Sequence, residues 1–220
     1  MKKLAIAIVA VLATVSAYAQ PEAGTWSITP KVGFNTSYLT GDDFKYSVGF
    51  SDGSLNATAE PLSKIGGVIG AEVGYQLNKR IGFTGGLLYS EQGFEYDASI
   101  SQVGVGKLWK DNSDYYLGYI NVPLLANFYI VKGLAVKAGL QPGFLVSAKY
   151  HKDKLNSKKT EDVKDAFNTV DLSIPVGVSY EFNFGLILDA RYNFGVTNVN
   201  KDGSAKNSVF QLTAGWKFNL

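Results

Sequence analysis

Residues 185–197, GLILDARYNFGVT, decide the fold of this chain because they alternate strictly between two kinds of side chain. The even-numbered positions are aliphatic or aromatic, whereas the odd-numbered positions include Asp189 and Arg191. A period of two is the pattern of a β-strand, whose successive side chains point to opposite faces of a sheet. The segment is therefore predicted to be a strand with one apolar and one ionic face.

The same alternation recurs along the chain, and it predicts eight strands in a single domain. The predicted strands are residues 26–38, 64–77, 81–96, 115–130, 134–149, 170–182, 185–197 and 208–218. The connections between them alternate strictly between long ones and short ones. The long connections are residues 39–63, 97–114, 150–169 and 198–207, and the short ones are 78–80, 131–133 and 183–184. Loops at one rim and tight turns at the other are typical of a membrane barrel.

One face of the eight predicted strands carries no charged residue, although 18% of the chain is charged. The opposite face is rich in glycine and holds Lys31, Lys64, Glu72, Lys137, Asp171, Glu181, Asp189, Arg191 and Lys217. A Lys or Arg that faces lipid at the membrane midplane costs roughly 2–4 kcal/mol, so the charged face is predicted to line the interior. The fold class that follows is all-β: an eight-stranded antiparallel up-and-down transmembrane β-barrel with long extracellular loops and short periplasmic turns.

Four of these bases can pair with the four acids inside the barrel, and buried charges must be partnered. We therefore predict a structural charge network in the lumen. Its members are Lys31, Glu72, Lys137, Asp171, Glu181, Asp189, Arg191 and Lys217. A charge relay of Asp189 with Arg191 is the functional alternative to this structural role.

The N-terminus has the three parts of a secretory signal peptide. Lys2 and Lys3 precede an uncharged apolar run, residues 4–15, and Ala17-Tyr18-Ala19 is a small-x-small cleavage site. Twelve helical residues reach only about 18 Å, short of the roughly 30 Å hydrocarbon core. We predict that residues 1–19 are a signal peptide, that residues 20–220 form the barrel domain, and that the protein resides in the bacterial outer membrane.

Composition and motifs point away from catalysis and from nucleic acid. Without Lys2 and Lys3, the 21 basic residues fall to 19 and balance the 19 acidic ones, so no nucleic-acid partner is predicted. The chain has no cysteine and one histidine, His151, in a predicted loop. Most zinc sites and nucleophile–base pairs are thereby excluded. We predict no catalytic residue, no cofactor and no metal.

Three further patterns have local interpretations. Gly66, Gly70 and Gly74 share one strand parity, which favours inward-facing glycines over a helix-dimer motif. Asp52-Gly53 and Asp202-Gly203 are hairpin-turn dipeptides, and the first is predicted to prolong its strand pair beyond the membrane. The charged connection, residues 150–169, is predicted to be solvated and mobile.

Four stretches resemble the PorT-like outer-membrane β-barrel proteins, which are small barrels like OmpA and OmpX. They are residues 87–93 (LLYSEQG), 119–126 (YINVPLLA), 138–149 (AGLQPGFLVSAK) and 192–199 (YNFGVTNV). The resemblance implies an outer-membrane location but no single activity. Asn121 stands where that family usually has an acid, so a role tied to that acid does not carry over.

The leading hypothesis is a non-catalytic barrel with a structural role or a binding role through its extracellular loops. The alternatives are a small porin-like channel, an outer-membrane component of a secretion or transport system, a lipid-modifying enzyme with His151 as its base, and a soluble ligand-binding barrel. The predicted partners are outer-membrane lipid and either another envelope protein or an extracellular ligand. The protein is predicted to be a monomer.

Overall fold

The computed structural model describes residues 22–41, 46–49, 55–102, 106–154, 157–201 and 203–220. The predicted signal peptide, the Asp52-Gly53 turn and Asp202 of the second turn dipeptide lie outside the described residues. The strands, in chain order, are β1 (Trp26–Thr40), β2 (Tyr46–Gly49), β3 (Leu55–Gln76), β4 (Ile81–Gln102), β5 (Gly106–Asn121), β6 (Leu124–Val131), β7 (Leu134–Lys154), β8 (Ser157–Asp162), β9 (Val170–Glu181), β10 (Leu186–Asn198), β11 (Lys206–Trp216) and β12 (Phe218–Asn219). One 3-10 turn, Lys164–Ala166, follows β8.

The described strands close into an eight-stranded barrel. We call each of its eight strand positions a stave, because some positions contain two of the elements named above. Every pair of neighbours is antiparallel, and β1 completes the ring by pairing with β3 on one side and with β11 and β12 on the other. Strands β5 and β6 form one stave, because both pair with β4 and with β7 on either side of a break at Val122-Pro123. Proline has no N–H to donate to the ladder, which accounts for the break. The predicted eight-stranded up-and-down barrel is confirmed.

The three tight turns are set by residues whose chemistry suits a turn. The Asn78 Oδ1 accepts hydrogen bonds from the backbone N–H groups of Arg80 (2.8 Å) and Ile81 (2.9 Å), as in an Asx turn. Gly133 and Gly185, in the other two turns, have φ of 75° and 98°. A backbone in this left-handed region favours glycine, so the sequence fixes the short-turn rim locally.

The outer surface of the barrel is apolar and the interior polar, as the alternation predicts. Along β1 the burial alternates residue by residue, with Lys31 buried and Val32 60% exposed. Ile65, Ile69 and Leu87 are likewise exposed on the outside. No helix among the described residues is long and apolar enough to cross a membrane.

Aromatic side chains gather at the short-turn rim. Trp26 contacts Tyr75 at 4.8 Å between ring centroids, and Phe184 contacts Trp216 at 5.8 Å. Phe182 links Phe184 to the ring of Tyr180. Aromatic girdles at the membrane interface are expected of such barrels.

The long connections contain more strand than the alternation predicts. Strands β3 and β4 each have 22 residues, and β7 continues to Lys154 before it pairs with β8. The connection predicted for residues 150–169 is therefore partly regular structure, because it contains the end of β7, the strand β8 and the 3-10 turn. A tilted strand needs only about 9–11 residues to span the membrane, so the apolar–polar alternation of a spanning strand is not required over the whole of these 22-residue strands.

Candidate functional site: the lumen and the protruding sheet

Five of the eight predicted network residues meet in one cluster inside the barrel, which we call the charge cluster: Lys31, Glu72, Lys137, Asp189 and Arg191. The Lys31 Nζ lies 2.7 Å from Glu72 Oε2 and 3.0 Å from Asp189 Oδ2. The Lys137 Nζ lies 2.7 Å from the same Asp189 oxygen. The Arg191 Nη2 is 2.7 Å from Glu72 Oε1, and its Nε is 2.8 Å from Asp189 Oδ1.

Glycines on neighbouring strands make room for these long side chains. Gly177 on β9 lies opposite both Lys137 and Arg191, and Gly86 on β4 lies opposite Glu72. A Cβ at Gly177 would lie 2.7 Å from Arg191 Cβ, and one at Gly86 would lie 2.7 Å from Glu72 Cγ. Both distances are below van der Waals contact, so any side chain here would displace the cluster.

The charge cluster holds three cations and two carboxylates. All five side chains are nearly inaccessible to solvent, the most exposed being Lys137 at 9%. Burial of charge is unfavourable unless partners replace the lost water, and here each carboxylate accepts from at least two cations. The Arg191 Nη1 has no hydrogen-bond partner among the described residues.

The other three predicted members lie elsewhere, so the expected single network is divided. The Lys217 Nζ is 3.0 Å from Glu181 Oε2 near the short-turn rim. Asp171 lies toward the opposite rim, where its Oδ1 accepts a 2.8 Å hydrogen bond from Thr197 Oγ1. Within the described residues no cation pairs with Asp171. Strand parity places all these side chains inside the barrel, but their heights along it decide which of them meet.

Neutral polar side chains fill the lumen above the charge cluster, and the sequence analysis did not single them out. The Asn35 Nδ2 donates to Ser90 Oγ (3.0 Å) and to the Glu91 carbonyl (2.8 Å). The Gln92 Nε2 donates to Ser90 Oγ (3.2 Å), and its Oε1 accepts from Asn207 Nδ2 (2.5 Å). The sequence did place Asn35, Ser90 and Gln92 on the predicted inward face of their strands, and this placement was the available indication of their role.

An apolar plug, which the alternation did not predict, closes the lumen at the long-loop rim. Its buried members are Leu39, Phe94, Leu117, Tyr119, Leu145, Ala148, Phe167, Val199 and Ala205. Tyr115 stacks on Phe94 at 4.5 Å and meets Phe167 edge-on at 6.3 Å. Phe167 comes from the connection after β8, which folds inward rather than extending into solvent.

A small polar cavity remains at the other end of the lumen. It has a volume of about 50 Å³ and lies between the charge cluster and the short-turn rim. Its charged lining consists of Lys31, Glu72, Lys137, Glu181 and Lys217. A space of this size holds about three or four water molecules.

A sheet rises above the barrel on one side, which we call the protruding sheet. It comprises β2, β8 and the distal parts of four staves: residues 55–63, 94–102, 106–115 and 149–154. The last pair between β1 and β3 is Ser37 with Lys64, so residues 55–63 extend beyond β1 by roughly 30 Å of strand. Strands β2 and β8 are its edges.

His151 lies on β7 within the protruding sheet, not in a loop. Its ring meets Tyr116 edge-on at 4.9 Å, and its Nδ1 is buried without a hydrogen-bond partner in the described part of the chain. Asp114 is its cross-strand neighbour, but that carboxylate is paired with Lys64 at 3.0 Å. No group of three potential metal ligands occurs among the described residues.

A closed antiparallel barrel with an apolar outer belt and a charged lumen is the structure of an integral outer-membrane β-barrel protein. The chain belongs to the outer membrane protein beta-barrel domain family, whose profile matches residues 18–201. The predicted location in the bacterial outer membrane is confirmed.

The chain is similar to several solved structures. The attachment invasion locus protein Ail of Yersinia pestis, in complex with the heparin analogue sucrose octasulfate, is 17% identical over 89% of this chain and 99% of that chain, with a TM-score of 0.50. Neisserial surface protein A is 15% identical over 88% and 97%, with a TM-score of 0.46. OprG from Pseudomonas aeruginosa is 16% identical over 91% and 99%, with a TM-score of 0.39. No curated protein matches this chain. At these identities the likeness concerns the fold alone.

Proposed function

We propose that this protein is a non-catalytic membrane anchor that presents the protruding sheet as a binding surface outside the cell. The observation that carries this proposal is the extension of β3 and β4 well beyond the last residue pairs of β1. Spanning the membrane does not require this length, because about 9–11 residues suffice for a tilted strand. We assign the chain to the PorT-like group within its family as part of the same proposal.

The edges of the protruding sheet suit an extended partner. Among the described strands, β2 pairs only with β3, and β8 pairs only with β7. An edge strand presents unpaired backbone N–H and C=O groups, to which another chain can add a strand. A second envelope protein or an extracellular polypeptide is the partner that this geometry favours, and the barrel itself acts as a monomer.

The lumen supports a structural role better than a transport role. The apolar plug at one end and the charge cluster in the middle occupy the cross-section, and the remaining cavity is only about 50 Å³. Eight strands leave an interior just wide enough for side chains. We infer that the charge cluster stabilises the barrel wall. Sustained open currents in single-channel recordings of the purified protein would contradict this inference.

His151 lacks the partner that a catalytic base requires. In nucleophile–base catalysis an orienting group holds the imidazole, whereas the His151 Nδ1 has no hydrogen-bond partner in the described chain. We therefore propose that the protein is not an enzyme. A lipid- or peptide-cleaving activity of the purified protein would contradict this proposal, and its loss in His151→Ala would identify His151 as the base.

Photo-crosslinking in intact cells tests the binding surface. A photoreactive residue is placed at Thr160 or Glu161 on the β8 edge, and as a matched control at Ile65 on the lipid-facing surface of β3. We expect a discrete protein adduct at the edge positions and none at Ile65. Equal labelling at the edge positions and at Ile65, or no adduct at Thr160 and Glu161, would contradict the proposal.

We further propose that residues 1–19 are removed on export. The mass of the protein purified from outer membranes tests this directly. A mature chain that begins at Gln20 is expected, and a full-length mass would contradict the assignment.

A further inference from the structure

We propose that the lumen cavity binds one small monatomic anion, such as chloride, against the charge cluster. This goes beyond the binding role of the protruding sheet, because the site lies inside the barrel toward the opposite rim. The cavity is lined by Lys31, Lys137 and Lys217, and by the carboxylates of Glu72 and Glu181. Its lining therefore carries one positive charge in excess.

The groups behind the lining do not remove this excess. Asp189 and Arg191 lie side by side and cancel each other. Lys217 and Glu181 form a second neutral pair, with the ammonium 3.0 Å from both carboxylate oxygens. Lys31 with Glu72 is a third. One unit of positive charge, formally that of Lys137, is left without its own carboxylate.

Asp171, the predicted lumen carboxylate that belongs to none of these pairs, is too distant to compensate. Asp171 lies six positions along β9 from Gly177, which is opposite Lys137, so the two charges are roughly 20 Å apart. Coulomb attraction falls with distance, and at this separation it is about a fifth of that at 4 Å. Asp171 is also engaged by Thr197.

Lys137 has hydrogen-bond capacity to offer an anion. An ammonium group has three N–H donors. In the described part of the chain, Lys137 donates one hydrogen bond, to Asp189 Oδ2 at 2.7 Å. Because Lys137 lines the cavity, its other two N–H groups are available to an occupant there.

The volume suits a monatomic anion with a few water molecules. About 50 Å³ has room for an ion slightly larger than water and for two or three waters beside it. Ser27, Thr29 and Ser179 also line the cavity and can donate to the same ion.

Bromide identifies the site because it replaces chloride and scatters anomalously. Crystals of the purified mature protein in detergent are soaked in sodium bromide. We expect one anomalous peak in the lumen, within about 3.5 Å of Lys137 Nζ. In Lys137→Met the cations and carboxylates of the charge cluster become equal in number, and the peak is expected to disappear. Lys79→Met, the same change on an exposed turn, is the matched control and keeps the peak.

Unfolding of the wild-type protein gives a second readout that does not need the variant to fold. Urea titrations in bromide and in gluconate are compared at equal ionic strength. Bromide at ten times its Kd is expected to raise the folding equilibrium constant about 11-fold over gluconate. Two results would overturn the proposal. One is wild-type protein that shows neither the anomalous peak in the lumen nor the difference between bromide and gluconate, and the other is a peak that persists in Lys137→Met.

Discussion

Arg191 lies two residues after Asp189 on β10, and its guanidinium donates to both oxygens of that carboxylate, from Nε at 2.8 Å and from Nη2 at 3.0 Å. The Nη2 also reaches Glu72 on β3, 2.7 Å away. Because β3 and β10 are separated by β1 and β11 in the barrel, this contact crosses the lumen. Arg191 thus links two staves that share no backbone hydrogen bonds.

Asp189→Asn is expected to destabilise the barrel strongly. The substitution keeps the shape but leaves three buried cations with the single carboxylate of Glu72. Breaking a buried ion pair by removal of one partner costs about 3–5 kcal/mol. Urea unfolding in lipid vesicles, followed by tryptophan fluorescence, measures the change. Lys137→Met leaves two cations and two carboxylates, so it should lower the unfolding free energy less than Asp189→Asn does. A larger loss in Lys137→Met than in Asp189→Asn would contradict the charge count.

Gly177→Ala and Gly67→Ala are a matched pair that tests the packing beside the cluster. A Cβ at Gly177 would lie 2.4 Å from the Ala190 carbonyl oxygen and 2.7 Å from Arg191 Cβ, whereas a Cβ at Gly67 meets nothing within 4 Å. Overpacking costs about 1–3 kcal/mol, so Gly177→Ala is expected to lower the unfolding free energy by this amount. Gly67→Ala should change it by less than about 0.5 kcal/mol. Equal effects in the same urea titrations would refute the close approach.

Phe167→Ala is expected to loosen the apolar plug. Phe167 is 6% exposed and packs against Tyr115, and loss of a buried Phe side chain costs about 3–5 kcal/mol when the site cannot collapse. Because the connection after β8 is held partly by this contact, its cleavage by an added protease should become faster while the barrel remains heat-modifiable on gels. Phe184→Ala, at a 60% exposed position on a short turn, is the control. Unchanged cleavage in Phe167→Ala would show that the plug does not hold the connection.

Ile69→Lys tests which surface meets the lipid. Ile69 is 60% exposed on the outer face of the barrel. It pairs with Val32, the residue after Lys31, so it lies at nearly the same height in the barrel as the charge cluster. A lysine facing lipid near the midplane costs roughly 2–4 kcal/mol. The comparison is Thr160→Lys on the exposed part of β8, which should refold as efficiently as wild type. The yield of heat-modifiable protein after refolding into vesicles measures both, and full recovery of Ile69→Lys would place the membrane elsewhere.

Some local features followed from the sequence because their causes are local. Asn78 and the glycines at 133 and 185 set the tight turns through their own backbone chemistry. The Asp52-Gly53 dipeptide indicated that the first strand pair continues beyond the membrane, and β2 pairs with β3 as that prediction requires. The continuation of β7 and the strand β8 did not follow, because a charged segment without apolar–polar alternation gives no strand signal. Phe167 gave no signal either, since a single apolar residue in a charged connection does not indicate whether it turns inward.

By itself the sequence determined the barrel, its polarity and its place in the membrane, because a period of two assigns every residue of a spanning strand to lipid or to lumen. Only the tertiary structure decided which lumen charges meet. Strand stagger sets the height of each side chain, and that height separates Asp171 from the cations, leaves the charge cluster with an excess cation, and brings Phe167 into the plug. Parity is encoded residue by residue, whereas height depends on the register of all the staves together.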